Sequence, residues 1–140
     1  MRKLTSILLL IGLASCNLDD NTSGPTNTSV ASLTDRVTIA SGLRVIQFIE
    51  DNEDKTSRYA GFVFRFAADG TVTASRESME IAGTYRVFRD DGETELAMTF
   101  PFNTLLNEFT DDWYFRGETN DRITFEDDYD DDLDRLVFGF

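Results

Sequence analysis

The chain has 140 residues, with 13 Lys and Arg against 26 Asp and Glu, no His and a single Cys. A net charge of −13 excludes nucleic acid as a partner, because binding to phosphates is dominated by Lys and Arg. The absence of His excludes His-dependent catalytic triads and imidazole metal sites.

The N-terminal segment has the parts of a bacterial export signal. Arg2 and Lys3 form a basic start. The apolar run that follows, residues 4–14, is shorter than the roughly 20 residues that a transmembrane helix needs. A basic start, a short apolar core and a small-residue exit are typical of a secretory signal. Residues 1–15 are therefore predicted to be a signal peptide, and its removal makes the remaining chain two charges more negative.

The exit of this segment, Leu13-Ala14-Ser15-Cys16, resembles the lipobox of bacterial lipoproteins. In that family the cysteine is acylated, the chain is cut before it, and the new amine is usually acylated too. The resemblance implies that Cys16 is the lipidation site and that the membrane is a partner through its acyl chains. Two or three acyl chains anchor a protein firmly to a membrane, because each CH₂ group that they bury contributes about 0.8 kcal/mol. The alternative is an ordinary signal peptide followed by a chance cysteine.

The lipidated cysteine is followed by a polar segment. Residues 16–29 contain a Gly-Pro pair and almost nothing apolar, which predicts a flexible tether with a reach of about 20 Å. Asp19 and Asp20 resemble acidic export signals of outer-membrane lipoproteins, although a merely solvated linker explains them equally well. We expect an outer membrane lipoprotein, on its periplasmic or its surface-exposed face. Residues 30–140 then form one domain without disulfides.

Helical spacing marks the start of this domain. Val30, Leu33 and Val37 lie on one helical face, with Ser29 as a candidate N-cap and Gly42 as a stop. Alternatively, the end of this segment joins the first strand.

Most of the remaining chain alternates between apolar and polar residues, as half-buried strands do, with Asp-Gly turns at 69–70 and 91–92. A second short helix is predicted at 101–109, with Leu105 and Phe109 facing the core. The pattern predicts an all-β fold with one or two short helices, in which an antiparallel meander closes as a barrel or a sandwich. The apolar positions are Phe62, Phe64 and Phe66; Met79, Ile81, Gly83, Tyr85 and Val87; Leu96, Met98 and Phe100; Trp113 and Phe115; Ile123 and Phe125; Leu136, Phe138 and Phe140.

Four segments together resemble a family of small lipocalin-like lipoproteins of Gram-negative bacteria, most of them of unknown function. They are residues 41–56, 59–74, the strand around Gly83, and 111–125. The resemblance implies an antiparallel up-and-down β-barrel of about eight strands. One departure is that Leu43 follows Gly42 where relatives carry Trp, and the only Trp is Trp113, so the Trp–Arg lock of lipocalins is not expected with Arg135.

The available side chains do not favour catalysis. The predicted mature chain has no thiol and a single lysine, Lys55, so covalent catalysis by a thiol or an amine is not expected. The many carboxylates cluster in predicted loops rather than in a facing pair, as a glycosidase would need. We predict no enzymatic activity and no cofactor.

The densest acidic run, residues 126–134, raises the question of calcium. Asp130, Asp132 and Asp134 have the alternate spacing of many calcium loops. The glycine that such loops need for their sharp turn is missing, and no bidentate Glu follows. We therefore predict a solvated hairpin loop and no metal site.

The aromatic residues suggest the function. In a lipocalin-like barrel they would line a pocket for a small apolar ligand, which predicts a lipid-anchored binding domain. Alternatively they form a packed core, and the loops of a surface interaction module bind a partner protein or a glycan; exposed aromatic residues such as Tyr59 or Tyr114 would favour this reading. The predicted ligand-binding residues are Phe62, Phe64, Phe66, Tyr85, Trp113, Phe115 and Phe125.

Overall fold

A computed structural model describes residues 28–127 and 132–140. The predicted signal peptide, Cys16 and nearly all of the tether lie outside the described residues. One helix, α1 (Val30–Ile39), precedes nine strands, and two short 3₁₀ helices (Thr56–Tyr59 and Leu105–Phe109) lie in the connections. The strands are β1 (Arg44–Glu50), β2 (Glu53–Asp54), β3 (Val63–Phe66), β4 (Thr71–Arg76), β5 (Met79–Asp90), β6 (Glu93–Thr99), β7 (Asp111–Glu118), β8 (Arg122–Asp127) and β9 (Asp134–Gly139).

The strands form one antiparallel sheet in the order β2-β1-β9-β8-β7-β6-β5-β4-β3. From β3 to β9 every strand pairs with its neighbour in sequence, and β1 then pairs with β9. Leu43, just before β1, forms a two-way backbone bridge with Phe64 of β3, at 2.8 Å in both directions. This bridge joins the two ends of the curled sheet. The predicted all-β, up-and-down barrel of about eight strands is confirmed, with the two-residue β2 as an addition to β1.

Alternation along the strands places one face of the sheet inside, as the sequence pattern predicted. Leu96 and Met98 of β6, for example, are almost completely buried, and so are Ile123 and Phe125 of β8. Two predicted apolar positions are exceptions: Phe140 lies past the end of β9 and is 40% exposed, and Met79, the first residue of β5, is 46% exposed.

Helix α1 covers one end of the barrel. Ser29 is its N-cap, as predicted, and accepts a hydrogen bond from the Ser32 backbone N–H at 3.0 Å. The helix ends at Ile39 rather than joining β1, and it buries Leu33 and Val37 against the core. Within the described residues, no helix is long and apolar enough to cross a membrane.

The two 3₁₀ helices contribute Tyr59, Leu106 and Phe109 to the core cluster at the other end. The second helix was predicted as 101–109, with Leu105 and Phe109 inward. The structure instead has a 3₁₀ turn that buries Leu106 and Phe109 and leaves Leu105 half-buried. A 3₁₀ helix has three residues per turn, so positions three apart share a face.

Candidate functional site

The seven aromatic residues predicted to bind a ligand all lie in the buried core. Phe64, at the centre, is fully buried, and its ring centroid lies 5.2 Å from that of Phe138, 5.4 Å from Phe109 and 6.2 Å from Phe100. Such distances are those of rings in direct edge or offset contact. The structure brings the seven predicted side chains together. It also packs them against further aromatic rings, which fill the space that a ligand would occupy.

One end of this core holds a partly buried polar network of Tyr59, Glu108 and Arg58. The Tyr59 hydroxyl donates a hydrogen bond to the Glu108 carboxylate, which Arg58 also contacts at 2.7 Å. Exposure of Tyr59 would have favoured the surface interaction reading, but its ring packs 5.2 Å from Phe48 and 4.5 Å from Phe109, and the side chain is fully buried. Burial, followed by the bond to Glu108, raises the pKa of Tyr59.

Glu108 carries the charge of this network. Burial alone would raise the pKa of its carboxyl group, but the hydrogen bonds from Tyr59 and Arg58 outweigh burial and lower it. The Glu108 carboxylate is therefore held in its ionised form, with hydrogen bonds from both Tyr59 and Arg58. Such a group stabilises the chain segments that it joins, and we assign it a structural role.

Trp113 and Arg135 have separate partners. The Trp113 indole N–H donates to the Phe109 carbonyl oxygen at 3.1 Å, and Arg135 donates to the Glu126 carboxylate at 2.6 Å. Trp113 closes the end of the barrel near the second 3₁₀ helix, whereas Arg135 joins β9 to β8 on the outer wall.

The outer wall has a groove of about 450 Å³ where β6 leaves β5. It is lined by Thr71, by residues 82–84 and by residues 99–101. Phe102 follows the groove in sequence and is 89% exposed. The sequence analysis missed this ring because it placed Phe102 within a helix.

The groove exists because β5 is longer than its neighbours. This strand pairs with β4 over residues 79–84, but with β6 only from Thr84 onward, where Thr99 is the partner. Residues 79–83 therefore have a strand on one side only. Gly83 faces the start of the gap, where a Cβ atom would lie 2.4 Å from the Thr99 carbonyl oxygen and 2.7 Å from Phe100 Cδ1. Only glycine allows this close crossing.

The unpaired side of β5 presents hydrogen-bonding groups. Backbone bonds alternate between the two sides of an antiparallel strand, and the Tyr85 N–H donates toward β4, to the Gly70 carbonyl oxygen at 2.8 Å. By this alternation the backbone groups of Glu80 and Ala82 point away from β4, into the gap. Among the described residues, no backbone hydrogen bond fills this position. The arrangement is a free strand edge, here called the β5 edge, and Phe102 follows the last lining residue, Pro101, in sequence.

The acidic run 126–134 is described in part, since residues 128–131, with Asp130, lie outside the described residues. Asp132 accepts a hydrogen bond from the Asn52 side chain, and Asp134 accepts one from the Asp51 backbone N–H, both at 2.6 Å. These carboxylates tie the start of β9 to the β1–β2 turn. In the part of the chain that the structure describes, no group of three or more acidic residues is arranged to hold a metal ion.

Comparison with protein-family models, with curated proteins and with solved structures found no match. The function is therefore inferred from the fold, the β5 edge and the sequence of the N-terminal segment.

Proposed function

We propose that the protein is a non-enzymatic, lipid-anchored interaction module of the outer membrane, in which the β5 edge binds an extended segment of a partner protein. The observation that supports this most is the free backbone of Glu80 and Ala82 along the β5 edge. Extended peptides bind such edges by main-chain hydrogen bonds, while pockets for alternate side chains give specificity. The lipid anchor rests on the lipobox around Cys16.

The chemistry of the partner follows from the surroundings of the edge. Phe102 and Pro101 offer apolar contacts, and Glu77 and Glu80 are exposed near the strand. On a chain of net charge −13, electrostatic complementarity favours a basic partner. We therefore propose an extended segment that carries apolar and basic side chains.

A small apolar ligand inside the barrel is the second candidate. The buried aromatic residues support it, since they form the apolar lining that such a ligand needs. It requires the rings around Phe64 to separate, because they are now in contact with one another. The packed core makes the interaction module the better proposal.

A photoreactive amino acid in place of Phe102 tests the edge in the cells that make the protein. We expect light-dependent adducts with a protein. They should disappear with Ala82→Pro, which removes the outward N–H, and persist with Ala82→Val, which keeps it. The same photoreactive residue at Thr124, on β8, serves as the control position.

Two results would contradict the edge proposal. One is the absence of any protein adduct at Phe102 that exceeds the adducts at Thr124. The other is an adduct that Ala82→Pro leaves unchanged, which would indicate side-chain recognition alone. An adduct with a glycan would replace the proposed protein partner with a sugar.

The anchor has a separate test. Cells fed a clickable fatty acid should label the wild-type protein and leave Cys16→Ser unlabelled and uncleaved. Equal labelling of the two forms would show that Cys16 is not the acylation site, and the lipoprotein proposal would then be wrong.

A further inference from the structure

The end of the barrel that α1 covers carries exposed apolar side chains. Ile39 is 81% exposed, Ile46 45% and Phe140 40%. Ile39 and Phe140 line one groove of about 220 Å³ beside the last turn of α1. Ile46 lies over Gly139, where a Cβ atom would be 3.0 Å from Ile46 Cγ2. The three side chains therefore border one surface formed by α1, β1 and β9, here called the α1-end surface.

Arginines surround these side chains. Arg44 and Arg122 are the two register partners of Gly139, one on each neighbouring strand. The Arg36 guanidinium lies 3.9 Å from the centre of the Phe140 ring. The Arg65 guanidinium lies 4.0 Å from the position of a Cβ atom on Gly42.

These arginines are only partly neutralised. Arg36 pairs with Glu118 at 3.1 Å, and Arg122 pairs with Asp121 at 3.2 Å. Arg44 has no acidic partner within 4 Å among the described residues, and the same holds for Arg65. Asp35 also borders the groove, so the positive excess is small.

The opposite end of the barrel is acidic. Strand β1 runs from Arg44 at the α1 end to Glu50, a distance of about 20 Å at roughly 3.3 Å per residue. Acidic residues crowd that far end around the β1–β2 turn: Asp51, Glu53, Asp54, Asp132 and Asp134. The β5–β6 turn also brings Asp90 and Asp91 to the α1 end, near Thr28. The basic and apolar surface therefore covers only the part of the α1 end that α1, β1 and β9 form.

The predicted tether enters at the same end. The Thr28 carbonyl oxygen accepts a hydrogen bond from the Thr94 hydroxyl at 2.6 Å, just before α1. Cys16 precedes Thr28 by twelve residues, and the reach expected for the predicted tether is about 20 Å. Helix α1 is about 15 Å long at 1.5 Å per residue. A bilayer that holds Cys16 is therefore within reach of the α1-end surface.

We propose that the α1-end surface rests on the bilayer that carries the lipid anchor. Ile39, Ile46 and Phe140 enter the boundary between headgroups and acyl chains, and Arg44, which has no acidic partner among the described residues, contacts a lipid phosphate, which the guanidinium group binds in a bidentate manner. The proposal rests on the lipidation of Cys16. Repulsion between anionic headgroups and the acidic far end favours the same orientation.

The test uses the full acylated chain in vesicles of phosphatidylethanolamine and phosphatidylglycerol whose acyl chains carry bromine. Because acylated Cys16 leaves no free thiol, one introduced cysteine accepts a fluorescent label. We expect brominated lipid to quench most of the fluorescence from a label at Ser41→Cys, beside Ile39. The same label at Glu53→Cys, at the acidic end, should keep its fluorescence.

Variants separate the surface from the anchor. Ile39→Ser combined with Arg44→Glu should abolish quenching of the Ser41 label, while Arg86→Glu, which makes the same charge change on the side wall, should leave it intact. Arg44→Glu alone keeps the test informative if the combined variant fails to fold, and it should reduce quenching. Co-flotation with the vesicles reports the anchor independently.

The outcomes are distinguishable. Protein that floats with the vesicles while the Ser41 label stays bright, or while both labels are quenched equally, would overturn the orientation and leave the anchor standing. Wild-type protein that does not float with the vesicles at all would contradict the lipid anchor itself. The proposed orientation, which rests on that anchor, would then be wrong as well.

Discussion

The ring of Phe64 lies at the centre of the barrel, in contact with rings from β9, from the second 3₁₀ helix and from the end of β6. We predict that Phe64→Ala lowers the free energy of unfolding by about 3–5 kcal/mol, because the truncation leaves a cavity in a packed core. Urea melts measure the loss, and Phe102→Ala is the matched control, expected within about 0.5 kcal/mol of wild type. A loss below about 1 kcal/mol for Phe64→Ala would favour an interior ligand pocket instead.

The sequence did not predict the surroundings of Glu95. It points outward from β6 between Phe88 and Tyr114, its register partners, and yet is only 3% exposed. Burial, together with nearby acids such as Asp90 and Asp112, raises the pKa of Glu95. A carboxyl group whose pKa is higher in the folded state binds more protons there, so the stability that its protonation provides is present at low pH and is lost as pH rises through the folded pKa.

We therefore predict that Glu95→Gln raises the melting temperature at neutral pH, where the wild-type carboxylate is ionised at a desolvated site. The gain should shrink as pH falls and disappear well below 4.5, the ordinary pKa of this group, because the carboxyl is then protonated in both the folded and the unfolded state. Thermal melts across this range measure the effect. Glu53→Gln, at an exposed position, controls for the loss of one negative charge. An equal gain from both variants would mean that net charge, rather than burial, is responsible.

At the scale of elements, α1 depends on the cap at Ser29. Ser29→Ala should cost about 1 kcal/mol, because it leaves the Ser32 N–H without its acceptor, whereas Ser29→Asn should be nearly neutral. Urea melts of the three proteins provide the measurement. If the Ala and Asn variants lost equal stability, the hydroxyl would have another role than capping.

At the scale of the whole molecule, charge opposes folding. A net charge of −13 repels itself, and the acidic residues are concentrated at the end opposite α1. Raising NaCl from about 0.01 M to about 0.1 M shortens the Debye length from about 30 to about 10 Å. We predict that the urea midpoint rises with this change and that Glu53→Gln reduces the rise. A fall in the midpoint would show that ion pairs such as Arg58–Glu108 outweigh the repulsion.

Much of the fold could be predicted from local patterns. Alternation at Phe62, Phe64 and Phe66 placed these residues inside, and helical spacing with a serine cap predicted α1. Both signals are local, since successive side chains of a strand point to opposite faces and a helix repeats every 3.6 residues. The position of the second helix was predicted, but its type was not. A short apolar run does not distinguish the three residues per turn of a 3₁₀ helix from the 3.6 of an α-helix.

Sequence patterning alone accounts for the strands and α1, because each depends on residues close together in the chain, and the export signal stays a prediction from the same kind of local pattern. Only the tertiary structure reveals the Leu43–Phe64 bridge, the burial of Tyr59 and Glu95, and the β5 edge. The edge arises where a twelve-residue strand outruns a seven-residue neighbour, and that mismatch depends on register. Register is set by pairing between distant segments and by the curvature that closes the sheet, and no local pattern contains either.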